Sequence, residues 1–199
     1  MSSIEYDGLE EHEIESWEQS AISLIYPMLK GGLFHRTSRE VYRGIKISEK
    51  ISPNTGQFPV TYPQSKYYFA SFRGYVSLFD FRSASDRHCI SIHHTWGSFF
   101  FDQEPITIIL RLNKDYLLDK LIPNDSAPKL GNPKYKGYIP YIEAWYPEPI
   151  PFGAIDGLII SLSQGLEKPP IFQEFSIDEI DDFDLAIDRF EQLWIEMLG

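Results

Sequence analysis

A single cysteine, Cys89, stands among 199 residues, so neither an intrachain disulfide nor a cysteine-based zinc site can be built from it. That usage suits a reducing cytosol, and a cytoplasmic protein is the expectation. No apolar run reaches the length of a membrane span. The opening Met1-Ser-Ser-Ile-Glu-Tyr-Asp7 is acidic, with no basic n-region or apolar h-region, so export by a signal peptide is not expected. Also missing are the P-loop, the glycine-rich dinucleotide fingerprint, His-Glu-x-x-His and the nucleophile elbow. There is no internal repeat, low-complexity tract or linker, and the expectation is one domain over 1–199.

Core-forming material is plentiful: 43% of residues are hydrophobic and 15% aromatic, far from a disordered composition. The net charge of −11 is unevenly spread. Residues 1–30 hold seven acids against one base, residues 167–199 ten against two, and the remaining centre fifteen bases against twelve acids. Acidic ends of this kind read as solvated helical faces, or as a surface for a basic protein partner. The mildly basic centre is where an anionic ligand such as a dinucleotide is expected.

Apolar spacing predicts helices over residues 9–29, with Lys30-Gly31-Gly32 as the stop, and over Ile177 to Leu198. Between them, Leu33 to Arg36, Lys66 to Ala70, Ile106 to Leu112, Tyr138 to Tyr146 and Ile155 to Ser161 read as strands. Thr37 and Ser38 are plausible caps for a short helix from Arg39, and residues 113–120 suit another. Tyr75 to Phe81 fits helix or strand, while Ile47 to Gln57 and residues 122–137 read as loops. Helix, strands with short helices, then strands and helix make an α+β order rather than a βαβ alternation.

Glu143 is the most telling residue. It is an acid inside the apolar run Ile142, Ala144, Trp145 and Tyr146, where burial is costly unless something binds it. It therefore holds a partner inside the protein or faces a cleft; Glu148, between two prolines, is its rival and reads as an exposed turn residue. His88, His93 and His94 with Asp86 do not make a persuasive metal site, because adjacent strand residues point to opposite faces. No metal is expected, and Cys89 reads as a small core residue.

Three segments remain in a particular order: Leu33-Phe34-His35-Arg36-Thr37-Ser38, then Lys66-Tyr67-Tyr68-Phe69-Ala70-Ser71-Phe72-Arg73, then Tyr138 to Ile155 around Glu143. In this order residues 33–161 resemble the ADP-ribosyltransferase superfamily with its His-Tyr-Glu core, closest in look to the DNA-targeting toxin branch. The resemblance implies an ADP-ribosyltransferase-like split β-sheet core, with 1–30 and 171–199 as flanking helices. It implies NAD as co-substrate and a macromolecular acceptor, protein or nucleic acid, in a toxin- or defence-related enzyme. It places His35 on a ribose of NAD with Thr37 or Ser38 beside it, and Tyr68, failing that Tyr67, against the nicotinamide. Arg73 falls near the phosphates or the reacting centre, and Glu143 on a ribose hydroxyl and the developing cation. The segment from Arg82 to Gln103 has no counterpart in the pattern. Two other readings stay open: an acidic non-enzymatic binding protein of the immunity or antitoxin kind, and NAD glycohydrolase or RNA 2′-phosphotransferase chemistry on the same fold.

Overall fold

A computed structural model describes residues 24–55, 69–82, 105–126, 142–163, 170–179 and 181–198. The order is α1 (24–29), β1 (Leu33–Ser38), α2 (Arg39–Ser48), β2 (Lys50–Ile51), α3 (Phe69–Arg73), β3 (Val76–Asp80), β4 (Ile106–Leu112), α4 (Lys114–Leu117), β5 (Glu143–Tyr146), β6 (Ile150–Pro151), β7 (Ile155–Leu162), β8 (Ile171–Ser176) and α5 (Asp181–Leu198). Among the described residues, six strands form one antiparallel sheet in the order β5-β3-β1-β4-β7-β8, and β2 pairs with β6 beside it. The protein is α+β, with a split antiparallel sheet.

The β-branched run of β4 explains why it lies in the middle. Ile106, Ile108 and Ile109 are buried along with Leu110 and Leu112, so both faces of the strand are covered. Alternation sorts the sheet into two faces. Leu33, Leu78, Ile108, Leu110, Leu158 and Ile160 share one core with Tyr42 and Ile45 of α2 and Ile187 and Phe190 of α5. Phe34, Ile109 and Ile159 belong to the other, covered by Ile25 and Leu29 of α1. Ion pairs Arg39–Glu191 and Lys46–Asp184 then tie α5 across α2. These pairs are partly exposed and contribute little beside the buried Ile187 and Phe190.

Several elements differ from the expectation. Phe69 and Ala70 begin a helix, not the end of a strand; Lys66 to Tyr68 lie outside the described residues. Tyr75 to Phe81 resolves as strand β3. β5 starts at Glu143 rather than Tyr138, and residues 138–141 lie outside the described part. The expected loop from Ile47 contains the end of α2 and the short β2. The C-terminal flank is not all helix: Ile171–Ser176 forms β8, which adds a sixth strand beyond the 33–161 core. Its apolar residues at Ile171, Phe172 and Phe175 do not alternate cleanly, so the two-residue period hides the strand.

Candidate active site at the split in the sheet

β1 meets its two neighbours very differently. With β4 it pairs along its whole length, from Leu33↔Leu112 to Ser38↔Thr107. With β3 it pairs only at Leu33↔Asp80 and Phe34↔Phe79. The ladder ends one residue before His35, and a side chain takes over there: His35 Nδ1 lies 3.0 Å from the Ser77 carbonyl oxygen. A carbonyl can only accept, so Nδ1 carries the proton and the neutral ring presents Nε2 as an acceptor. Burial holds the His35 pKa below its ordinary value, against the raising effect of the Ser77 bond; the nearby Arg36 charge adds to the lowering. The imidazole is therefore neutral near neutral pH.

On the other side of β3, Glu143 pairs with Phe79 and Trp145 with Ser77. Glu143 is only 3% exposed. Its Oε1 accepts from Ser77 Oγ at 2.8 Å and from Trp145 Nε1 at 2.9 Å. The acid in an apolar strand thus holds partners inside the protein, and strand geometry explains both. Trp145 is two residues along on the same face, and Ser77 is the diagonal neighbour across the pair. The backbone is fixed as well. Asn124 Nδ2 donates to the Glu143 carbonyl at 2.9 Å, and Ile122 exchanges two backbone bonds with Trp145, 2.8 and 2.9 Å long. The start of the expected 122–137 loop therefore closes the outer edge of β5.

Ser77 is the meeting point. Its carbonyl receives His35 and its hydroxyl reaches Glu143. The histidine and glutamate are linked through it, although alternation sets His35 on the Leu33 face and Glu143 on the Phe34 face. Of the other expected residues, Thr37 is buried in β1, and Ser38 caps α2 by accepting from Val41 N at 3.2 Å. Arg73 ends α3 with its side chain exposed. Glu148 is exposed and pairs with Lys120 at 2.7 Å, in contrast to buried Glu143. Tyr67, Tyr68, Cys89, His88, His93, His94 and Asp86 lie outside the described residues.

Among the described residues there is no group of three or more potential metal ligands, and no helix is long and apolar enough to cross a membrane. Sequence reasoning missed Ser77, Trp145 as a donor, and Asn124. Trp145 was open to discovery, because two residues from Glu143 on a strand means the same face; Ser77 and Asn124 depend on pairings that no local pattern records. No protein-family model, curated protein or solved structure matches this chain.

Proposed function

We propose that the protein is an NAD-dependent ADP-ribosyltransferase with an ADP-ribosyltransferase-like split sheet, acting on a macromolecular acceptor. What supports this reading is that His35 and Glu143 both engage Ser77 where the β1–β3 ladder ends; because their side chains leave the sheet on opposite faces, it requires the dinucleotide to reach them through that opening. A neutral imidazole with an accepting Nε2 suits a ribose hydroxyl donor. A carboxylate fixed by two donors suits the ribose carbon from which nicotinamide departs. In that step the C–N bond breaks, nicotinamide leaves with the electron pair, and positive charge grows on the ribose. The acceptor nucleophile then bonds to that carbon and gives up its proton. A rigid acid at the growing charge lowers the barrier because its orientation is set beforehand. Tyr68 or Tyr67 would wall the nicotinamide and Arg73 would meet the phosphates, as the resemblance implies; a water acceptor would give NAD hydrolysis by the same bond cleavage.

The acidic binding-protein reading has less behind it, since Asp184 and Glu191 of the acidic C-terminal helix already pair with Lys46 and Arg39. The test is calorimetric titration of NAD into wild type, His35→Ala and Glu143→Ala, with nicotinamide release followed in parallel. Micromolar-to-millimolar binding that weakens in both folded variants, with release lost in Glu143→Ala, supports the reading. An absence of heat and of release with wild type overturns it.

A further inference from the structure

We infer that Ser77 is the positioning residue of this site, with its two polar ends assigned to different partners: the hydroxyl aims the Glu143 carboxylate and the carbonyl sets the His35 tautomer. The inference about turnover rests on the NAD reading; the inference about positioning does not. Three observations carry it. First, the β1–β3 ladder stops after Phe34↔Phe79, which leaves the Ser77 carbonyl for a side chain, and His35 Nδ1 takes it at 3.0 Å. Second, Ser77 Oγ and Trp145 Nε1 both converge on the same oxygen, Glu143 Oε1, at 2.8 and 2.9 Å. Two donors on one oxygen fix the rotation of the carboxyl plane better than either alone. Third, all of these groups sit on strands whose backbones are pinned, β3 by its pairing with β5 and β5 by Ile122 and Asn124. The serine hydroxyl is the one neutral side-chain donor that joins β3 to the acid of β5 among the bonds described.

This division of labour separates the variants. Ser77→Ala removes the hydroxyl and keeps the carbonyl. It removes one of the donors that aim the carboxyl plane, so the Trp145 indole N–H environment changes while the His35 tautomer does not. Ser77→Thr keeps a hydroxyl in a residue well suited to a strand. Nitrogen-15 NMR reads both ends, with the indole signal assigned by Trp145→Phe and the imidazole signals by His35→Gln. In Ser77→Ala the expected result is a shifted Trp145 indole resonance, unchanged His35 ring nitrogens, and a kcat for nicotinamide release reduced about tenfold to a hundredfold with little change in KM. Ser77→Thr restores the indole position and most of kcat. An unmoved Trp145 indole in folded Ser77→Ala, or a His35 ring that changes tautomer with it, overturns the inference. Wild-type protein that turns over no NAD, yet shows the expected indole shift in Ser77→Ala, sinks the transferase reading and leaves the positioning role standing.

Discussion

The two halves of the sheet are built on opposite plans. From β4 outward, the ladders are long and apolar: β4 and β7 pair from Ile106↔Leu162 to Leu112↔Ile155, and β7 and β8 over six positions. From β1 toward β5 the pairings are short, the β1–β3 ladder stops after two positions, and His35, Ser77 and Glu143 collect there. The first half uses its backbone groups on itself. The second leaves a carbonyl for a side chain and gives a buried acid two side-chain donors. A long apolar ladder supplies the rigidity, and an interrupted one supplies places for polar groups that demand partners.

The sharpest way to break this contrast is at Glu143. If the protein is the transferase proposed above, replacement by alanine cuts nicotinamide release by about a hundredfold to a thousandfold. It also strands the Ser77 hydroxyl and Trp145 N–H, costing about 1–3 kcal/mol for each one left unsatisfied. Release assays and thermal unfolding read the two effects separately, and equal activity in the variant would remove the acid from the site.

In the apolar half the largest stability change is expected from Ile159→Ala. Ile159 is fully buried between Ile109 and the α1 face, and its truncation costs about 2–5 kcal/mol by lost transfer energy and an unfilled cavity. Urea unfolding measures it. Gly157→Ala probes the same half differently. A Cβ there would lie 2.9 Å from the Phe175 carbonyl oxygen, a backbone atom, so β8 must shift away from β7. The expected cost is about 1–3 kcal/mol, as for overpacking, and no loss of stability would mean that the two strands are less closely held.

Acidification reaches the polar half first. His35 is held neutral in the fold below its ordinary 6.5, so the unfolded chain binds the extra proton more readily. Stability owed to this group is intact above 6.5 and declines as the pH falls below it. Thermal midpoints between about pH 5 and about pH 8 should show a decline that His35→Gln reduces; an identical profile for the variant would mean that other groups set it. At the alkaline end the sign is reversed. Burial, with Asp184 nearby, pushes the Tyr42 phenol up to about 12 from 10, so its contribution holds below 10 and fades toward 12.

The smallest effect is the most diagnostic of packing. Thr107 and Ser161 face each other across β4 and β7, both 1% exposed, and neither hydroxyl has a hydrogen-bond partner among the described residues. They are polar intrusions into the apolar half. Replacing both, Thr107→Val with Ser161→Ala, should be neutral or stabilise by up to about 1 kcal/mol, since two unmatched polar groups leave together. A loss above that figure in urea unfolding would show that these hydroxyls are used after all.

Much of this was legible in the residues. The apolar run Ile106–Leu112 announced a buried strand, Ile155–Ser161 announced another, and the cap at Ser38 followed from local chemistry, as did the C-terminal helix, expected from Ile177 and observed over Asp181–Leu198. Glu143 stood out because a carboxyl in an apolar strand must be answered by a partner. Those are properties of near neighbours, which a sequence records directly. The fold alone decided who answers. Ser77 is 66 positions from Glu143 and 42 from His35, and nothing at that separation marks it until β3 lies between β1 and β5. The same holds for β8, whose place beside β7 comes from the ladder rather than from its own pattern. Local sequence set which groups need burial or partners, and tertiary pairing set which groups meet, because strand neighbours are chosen by register across the whole chain.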